Sequence, residues 1–377
     1  MKRMRVVECI ASLHERAAGT TVYFQRMMEL LPGSDIEAIV LSTGAPAPDV
    51  PGQYFATDFS GCPWVAAMRP SRALREAMLM EARQADLIHS HGMWLLPNVY
   101  PGHAAVAANV PLVISPHGML GREALRFSAF KKMAFWAVFQ RRAAAAATCW
   151  HATSEKEAEE LRAFGIDAPI AIMPIGVDFP ALAGRSVRRQ EVLFLGRLHP
   201  IKGIDALLRV WPGVAAQYPD WTLRIVGPRD DAAERYRARA EAALIPNLVF
   251  DDAVYGQEKW NCYRSAALFV LPTQNENFGV TISEALAAET PVICSDGAPW
   301  EGLRENRAGW WIPQTDDALR SALCAAIALP DSERRSMGRR GREWMLRDFS
   351  WEAVVAQTRD LYAWIGRGAP RPDFVYA

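Results

Sequence analysis

Short runs of apolar residues alternate along this chain with longer stretches in which apolar positions recur every three or four residues. The first pattern suits a strand buried on both faces of a parallel sheet, the second a helix lying over it. In the first half the pattern predicts strands at Arg5 to Ile10, Glu37 to Leu41, Leu87 to Ser90, Leu112 to Ser115, Cys149 to Ala152 and Ile170 to Met173. It restarts with Val192 to Leu195, Thr222 to Val226, Leu248 to Asp251, Leu268 to Leu271 and Pro291 to Cys294. Such alternation predicts an α/β protein of two doubly wound, Rossmann-like halves. Gly176 to Gln190 carries Pro180, Gly184 and several charges without an apolar period and reads as the linker between them. The expected domains are therefore 1–180 and 181–350. Beyond them, Trp351, Val354, Val355, Thr358, Leu361, Tyr362 and Ile365 form a helical stripe long enough to pack outside its own domain.

Composition narrows the picture. A chain of 377 residues, half of them apolar, can bury two ordinary cores. Its 42 basic and 42 acidic residues balance, which argues against nucleic acid as the main partner. The six cysteines show no Cys-x-x-Cys pair and no His at metal-ligand spacing, so they are expected to be small core residues of a reducing compartment. The basic start Met1-Lys-Arg-Met-Arg5 resembles a signal peptide, but Glu8 and His14 break the apolar run after it, and a first strand fits better. No run reaches the roughly 18 uncharged apolar residues of a membrane-spanning helix. A cytoplasmic protein touching membrane only at its surface is expected.

The richest stretch for chemistry runs from Pro272 to Ala287. Glu276 falls in the loop after a predicted strand, and Glu284 falls more than a turn into the following helix. Between them lie the amides of Asn277, Phe278 and Gly279, expected at the positive end of that helix. Carboxylates beside helix-end donors suit a polyhydroxyl, phosphate-bearing ligand, although two solvated Glu residues would give the same pattern. A second cluster follows the strand Val192 to Leu195, where Gly196-Arg197 and Lys202-Gly203 place two cations at a strand end. Ligands of open α/β sheets bind outside the carboxyl ends of strands, and a guanidinium fork with a point charge suits a diphosphate.

Other candidates are weaker one by one. His117 stands in the turn after Leu112 to Ser115, where a lone imidazole is more often structural than catalytic. His89 and His91 share a strand face and invite a metal reading, but the sequence offers no third ligand. Gly19, followed by Thr20 and Thr21, joins the first strand to the first helix and could set amides against a phosphate. It is neither a G-x-G-x-x-G nor a Walker loop. From Phe127 to Arg142, apolar Phe130, Met133, Ala134, Ala137 and Val138 alternate with Arg126, Lys131, Lys132, Arg141 and Arg142. That segment is either an ordinary amphipathic helix or one that lies on an anionic membrane. Ser154 and Glu157 form a capping box.

Taken together, Gly196-Arg197 with Lys202, Glu276 with Glu284, and His117 in the first half resemble the family-4 retaining glycosyltransferases of GT-B fold. Ser115-Pro-His-Gly-Met, His151-Ala-Thr-Ser-Glu, Pro174-Ile-Gly-Val-Asp178 and Gly297-Ala-Pro-Trp300 through Gly309-Trp-Trp-Ile312 resemble a bacterial exopolysaccharide and surface-glycan subgroup. The resemblance implies two Rossmann-like domains facing across a cleft, with residues 351–377 crossing back to the first. It implies a hexosyltransferase that takes a nucleoside-diphosphate sugar as donor and a glycan or polyprenyl-linked glycan as acceptor, with retention. In that reading Arg197 and Lys202 bind the diphosphate, Glu284 the ribose, and Glu276 with Asn277, Phe278 and Gly279 the transferred sugar. His117 contacts that sugar, and the Gly19 loop closes on the phosphates or helps to frame the acceptor site. No metal or other cofactor is expected, and peripheral contact with the inner membrane is. A sugar-nucleotide-binding subunit without activity and an epimerase of the same fold are the alternatives. The sequence departs from the family at Ala18-Gly19, where paired glycines are common, and at Ala288-Glu289, where a glycine is usual.

Overall fold

The computed structural model describes residues 3–13, 19–33, 35–181 and 188–377. They form two compact units, Met1–Ile175 with Trp351–Ala377, and Gly176–Ser350. The turn preceding Gly19 and the centre of the expected linker lie outside the described residues.

The first unit holds β1 (Met4–Ile10), β2 (Ile36–Thr43), β3 (Gln53–Phe55), β4 (Leu87–His91), β5 (Leu112–Ser115), β6 (Cys149–Ala152) and β7 (Ile170–Ile172). The second holds β8 (Glu191–Leu195), β9 (Thr222–Gly227), β10 (Leu248–Asp252), β11 (Leu268–Leu271), β12 (Val292–Ser295) and β13 (Gly309–Ile312), after which the chain returns to the first unit with β14 (Val375–Tyr376). The sheet orders are β14-β7-β6-β5-β4-β1-β2-β3 and β10-β9-β8-β11-β12-β13. Every pairing is parallel except that of β14 with β7. In each sheet the connections leave the first strand on one side and later resume on the other. The switch points lie between β1 and β4 and between β8 and β11, and the strand ends there open a crevice for ligands.

All the predicted strands are present, with shifts of one or two residues at some ends. The strands absent from the prediction, β3, β13 and β14, are sheet edges, short and partly exposed. An edge strand has no second neighbour to bury it, so it lacks the continuous apolar run of a central strand.

Helix Trp351–Arg367 belongs to the first unit and buries Trp351, Val354, Val355, Thr358, Leu361 and Tyr362. Trp351 stacks on Tyr23 with ring centroids 6.1 Å apart. The segment read as one helix from Phe127 to Arg142 is instead helix Ala129–Phe135, a π-helical turn at Trp136–Gln140 and helix Arg141–Ala144. The wider turn shifts the helical phase, and the face it buries carries Phe135, Gln140, Ala143 and Ala144. The apolar stripe foreseen there therefore faces solvent, with Phe130 88 % and Val138 70 % exposed. All six cysteines are free thiols. Four are core residues as expected, whereas Cys62 is exposed and Cys324 partly so. Glu289, at the family's usual glycine, adopts a left-handed backbone with φ 61°.

Candidate active site

In the second unit the chain leaves β8 at Gly196 and Arg197, makes a 3-10 turn over Pro200–Lys202 and enters helix Ile204–Gln217. Gly203 closes the turn at φ 78°, and a Cβ there would stand 1.9 Å from the carbonyl oxygen of Pro272. Only glycine permits both the backbone and the approach. The contact binds the β8 loop to the β11 loop, and the carbonyl of Ile201 accepts from Thr273 Oγ1 at 2.9 Å and Gln274 N at 2.7 Å. Joined in this way, the two loops bring Lys202 Nζ onto Glu276 Oε1 as an ion pair, both side chains mostly buried. Two groups 74 residues apart in sequence thus meet at the switch point. Arg197, on the same loop, is exposed, and its side chain makes no ion pair among the described residues.

Helix Val280–Ala287 starts later than the sequence suggested. Gly279, at φ 87°, is its N-cap, so Asn277 and Phe278 lie in the approach and the first-turn amides are those of Val280 and Thr281. The Phe278 ring is buried between Trp300 and Phe349, with centroids 5.3 and 6.0 Å away, and Trp300 Nε1 donates to the Phe278 carbonyl. Its side chain anchors the loop, and only its backbone is available to a ligand. Glu284 sits five residues beyond Gly279, about 7 Å along the axis. Lys259 Nζ donates to its Oε1 at 2.5 Å and Tyr263 Oη to its Oε2 at 2.9 Å. The sequence reading missed Lys259 and Tyr263 because they lie on a separate helix, Gly256–Ser265, with no motif of their own. A carboxylate has about four acceptor positions, so Glu284 can still receive two hydroxyls. Burial beside this carboxylate raises the Tyr263 phenol well above its ordinary range, keeping it a donor.

The first unit builds a different cluster at its own switch point. Glu8 lies on β1, His89 and His91 on β4, Ser115 at the end of β5, and His117 two residues further at φ 53°. His91 Nε2 is 2.9 Å from Glu8 Oε2, and His91 Nδ1 is 3.1 Å from His117 Nε2. Tyr362, from helix Trp351–Arg367, donates to Glu8 Oε1 at 2.8 Å and lies 2.6 Å from His89 Nδ1. Ser115 Oγ stands 2.7 Å from His89 Nε2 and 2.8 Å from His151 Nδ1, and His151 Nε2 donates to the Met173 carbonyl at 2.9 Å. Burial, the largest cause in each case, lowers His89 and His117 well below the usual imidazole range and His151 to about 4. The turn carrying His117 is clamped by Glu157, which accepts from Gly118 N at 2.5 Å and from Thr153 N and Oγ1 at 2.8 Å. The N-cap bond of the expected capping box forms, since Ser154 Oγ accepts from Glu157 N, and the Glu157 carboxylate also holds the histidine turn.

The third partner of His89 and His91 that the sequence did not reveal is Glu8, with ligand atoms of the three within 4.8 Å of one another. The ring nitrogens of both histidines and both Glu8 oxygens are engaged in the hydrogen bonds above, so a cation would have to displace several of them. Glu8 was legible only as a charge interrupting an apolar strand. Gly19 begins helix Gly19–Leu30 and is exposed, and a Cβ added there would meet none of the described residues within 4 Å.

Two doubly wound parallel sheets, each with ionic or polar groups gathered at its switch point, define a GT-B-type α/β protein. Residues 18–176 match the model for the Glycosyl transferase 4-like domain and residues 183–344 that for Glycosyl transferases group 1. The chain thus carries a glycosyl transferase 4-like domain followed by a glycosyl transferases group 1 domain, in a fold of GT-B type. It is 33 % identical to phosphatidyl-myo-inositol mannosyltransferase of Mycobacterium leprae, over 54 % of this chain and 55 % of that one. It is 27 % identical to D-inositol 3-phosphate glycosyltransferase of Streptomyces bingchenggensis, over 98 % of this chain and 84 % of the relative. Among solved structures, sucrose-phosphate synthase from Thermosynechococcus elongatus superposes with TM-score 0.69 at 21 % identity, covering 97 % of this chain and 100 % of the other. Anabaena HepE in complex with UDP-glucose superposes with TM-score 0.70 at 16 % identity, over 96 % of this chain and 100 % of that one.

Proposed function

We propose that the protein transfers a hexose from a nucleoside-diphosphate sugar to a hydroxyl acceptor, with retention and without a metal ion. The observation that carries this reading is the pairing of Lys202 with Glu276 at the β8–β11 switch point, beside the exposed Arg197. The hard step is departure of the nucleoside diphosphate, which needs fixed positive charge where negative charge develops. Lys202 and Arg197 supply it from one loop. Glu276, released by the incoming phosphate, is left to accept from sugar hydroxyls. Glu284, held by Lys259 and Tyr263, receives the ribose hydroxyls. The amides around Gly279 face the same ligand, and roles for His117 at the sugar and Gly19 at the phosphates rest on the family resemblance. That HepE binds UDP-glucose supports a nucleotide-sugar donor.

The acceptor in this proposal is a lipid-linked glycan of surface-polysaccharide assembly, reached at the cytoplasmic face of a membrane. Phe127, Phe130, Met133 and Val138 are exposed beside Lys131, Arg141 and Arg142, and Lys131 lies over the exposed ring of Trp64. An apolar strip rimmed by cations suits an anionic bilayer surface. No helix among the described residues is long and apolar enough to cross a membrane.

Incubation with UDP-, GDP- and ADP-sugars in EDTA, with inositol phosphate and polyprenyl-linked glycans as alternative acceptors, tests the reading. One donor is expected to raise the melting temperature and yield a retained glycoside. Lys202→Ala and Glu284→Ala are each expected to lower donor affinity by roughly tenfold or more. Activity abolished by chelator and restored by manganese would overturn the metal-free proposal. Donor binding without product for any acceptor would leave a binding subunit, and product without acceptor an epimerase.

A further inference from the structure

The cluster at the β1–β4 switch point is one unbranched chain of hydrogen bonds, and its protons can be counted. It runs from the Met173 carbonyl through His151, Ser115, His89, Tyr362, Glu8 and His91 to His117, seven bonds in all. Each bond needs one proton. Neutral imidazoles, Ser115, Tyr362 and an ionised Glu8 supply six at most. Those at Glu8 are fixed first, because a carboxylate only accepts and takes one proton from Tyr362 and one from His91 Nε2. Burial makes every further unmade bond costly, because the groups are held away from water. Glu8, His89, His91, Ser115 and His151 are all at most 3 % exposed.

That count decides the state of the one histidine at the outer end. A neutral His91 that gives its proton to Glu8 leaves Nδ1 an acceptor, so His117 must place its own proton on Nε2 and donate it to His91 Nδ1. His91 in turn donates through Nε2 to Glu8. We propose that Glu8 and His91 are positioning residues for His117, locking it as the Nε2–H tautomer and leaving Nδ1 a bare acceptor for a ligand hydroxyl. The opposite tautomer would leave the bond between His91 and His117 without a proton. Near-parallel stacking of the two rings, 16° apart with centroids at 5.4 Å, and the edge of Tyr23 at 5.5 Å fix the plane of His117. Unlike the inner members, His117 is partly exposed, so its free nitrogen is the end of the chain available to a ligand. The lowered proton affinity of His117 agrees with a neutral ring at the outer end of the chain.

The role given to Nδ1 rests on the glycosyl-transfer reading, whereas the tautomer does not. Long-range proton–nitrogen NMR of the 15N-histidine-labelled, ligand-free protein reads it directly, with the His117 signals assigned from His117→Gln. The expected result is a protonated Nε2 and an unprotonated Nδ1 at neutral pH. A protonated Nδ1 overturns the proposal, whatever the activity. His91→Phe removes the acceptor and is expected to mix the tautomers and lower kcat on the order of 10²-fold, with donor KM changed less than about threefold. Glu8→Gln preserves one donor and one acceptor and is expected to recover both the tautomer and most of the kcat lost in Glu8→Ala. Failure of Glu8→Gln to restore the tautomer, or an unchanged tautomer and kcat in His91→Phe, would also overturn it. An inactive wild-type protein with the expected tautomer would sink the transfer reading alone.

Discussion

At the scale of single residues, burial has made His89, His117 and His151 poor bases, and this couples folding to pH. His151 is lowered to about 4 by desolvation above all, against an ordinary value of 6.5. Between those values the unfolded chain binds a proton that the folded one does not, so acidification favours unfolding. The stabilisation is complete above roughly pH 6.5, declines as pH falls and is gone below about 4. For His151 alone it amounts to about 3 kcal/mol. His89 and His117 act with the same sign. Urea midpoints for the first unit are therefore expected to fall clearly between pH 7 and pH 5, and a flat profile would mean that these rings titrate normally. None of this was legible from the residues. His117 read as a lone strand-end histidine because its partners come from β1 and β4, brought beside it only by the sheet.

At the scale of elements, two loops after neighbouring strands act as one body. Gly203 is where they touch, with both a left-handed φ and contact with the Pro272 carbonyl. Gly203→Ala is expected to force the loops apart, lower stability by about 1–3 kcal/mol and weaken donor binding through the Lys202–Glu276 pair. Donor affinity equal to wild type by calorimetry would show that the pair forms without this contact. The surface segment 129–144 gives a second prediction. Replacing Phe130 and Trp64 by Ser is expected to reduce binding to phosphatidylglycerol vesicles severalfold while leaving donor-induced thermal shifts unchanged, and equal vesicle binding would remove the membrane surface. Periodicity located this segment but assigned its apolar face to no environment. A single π-helical turn, which leaves no mark in the apolar pattern, decided which face was buried.

At the scale of the whole molecule, the chain closes its first unit with residues from its far end. Tyr362 bonds Glu8, and β14 pairs with β7. A chain ending at Ser350 loses Tyr362, the stack of Trp351 on Tyr23 and the β14 edge together. Its residues 3–175 are expected to become protease-sensitive while 188–350 stay protected. Equal protection of both would mean that the first unit folds without its terminal helix.

The sequence by itself determined the two doubly wound sheets, because central parallel strands are buried on both faces and must be written as unbroken apolar runs. It also announced Lys202 and Glu276, since charges at the ends of such runs have no core to enter, and Glu284 by its place in the helix that follows. The tertiary structure decided which of these groups meet. Lys202 reaches Glu276, Glu284 is held by Lys259 and Tyr263, and Glu8 joins His91 to His117. Pairings between strands depend on sheet order and on where each loop is anchored, and such long-range adjacency has no period along the chain.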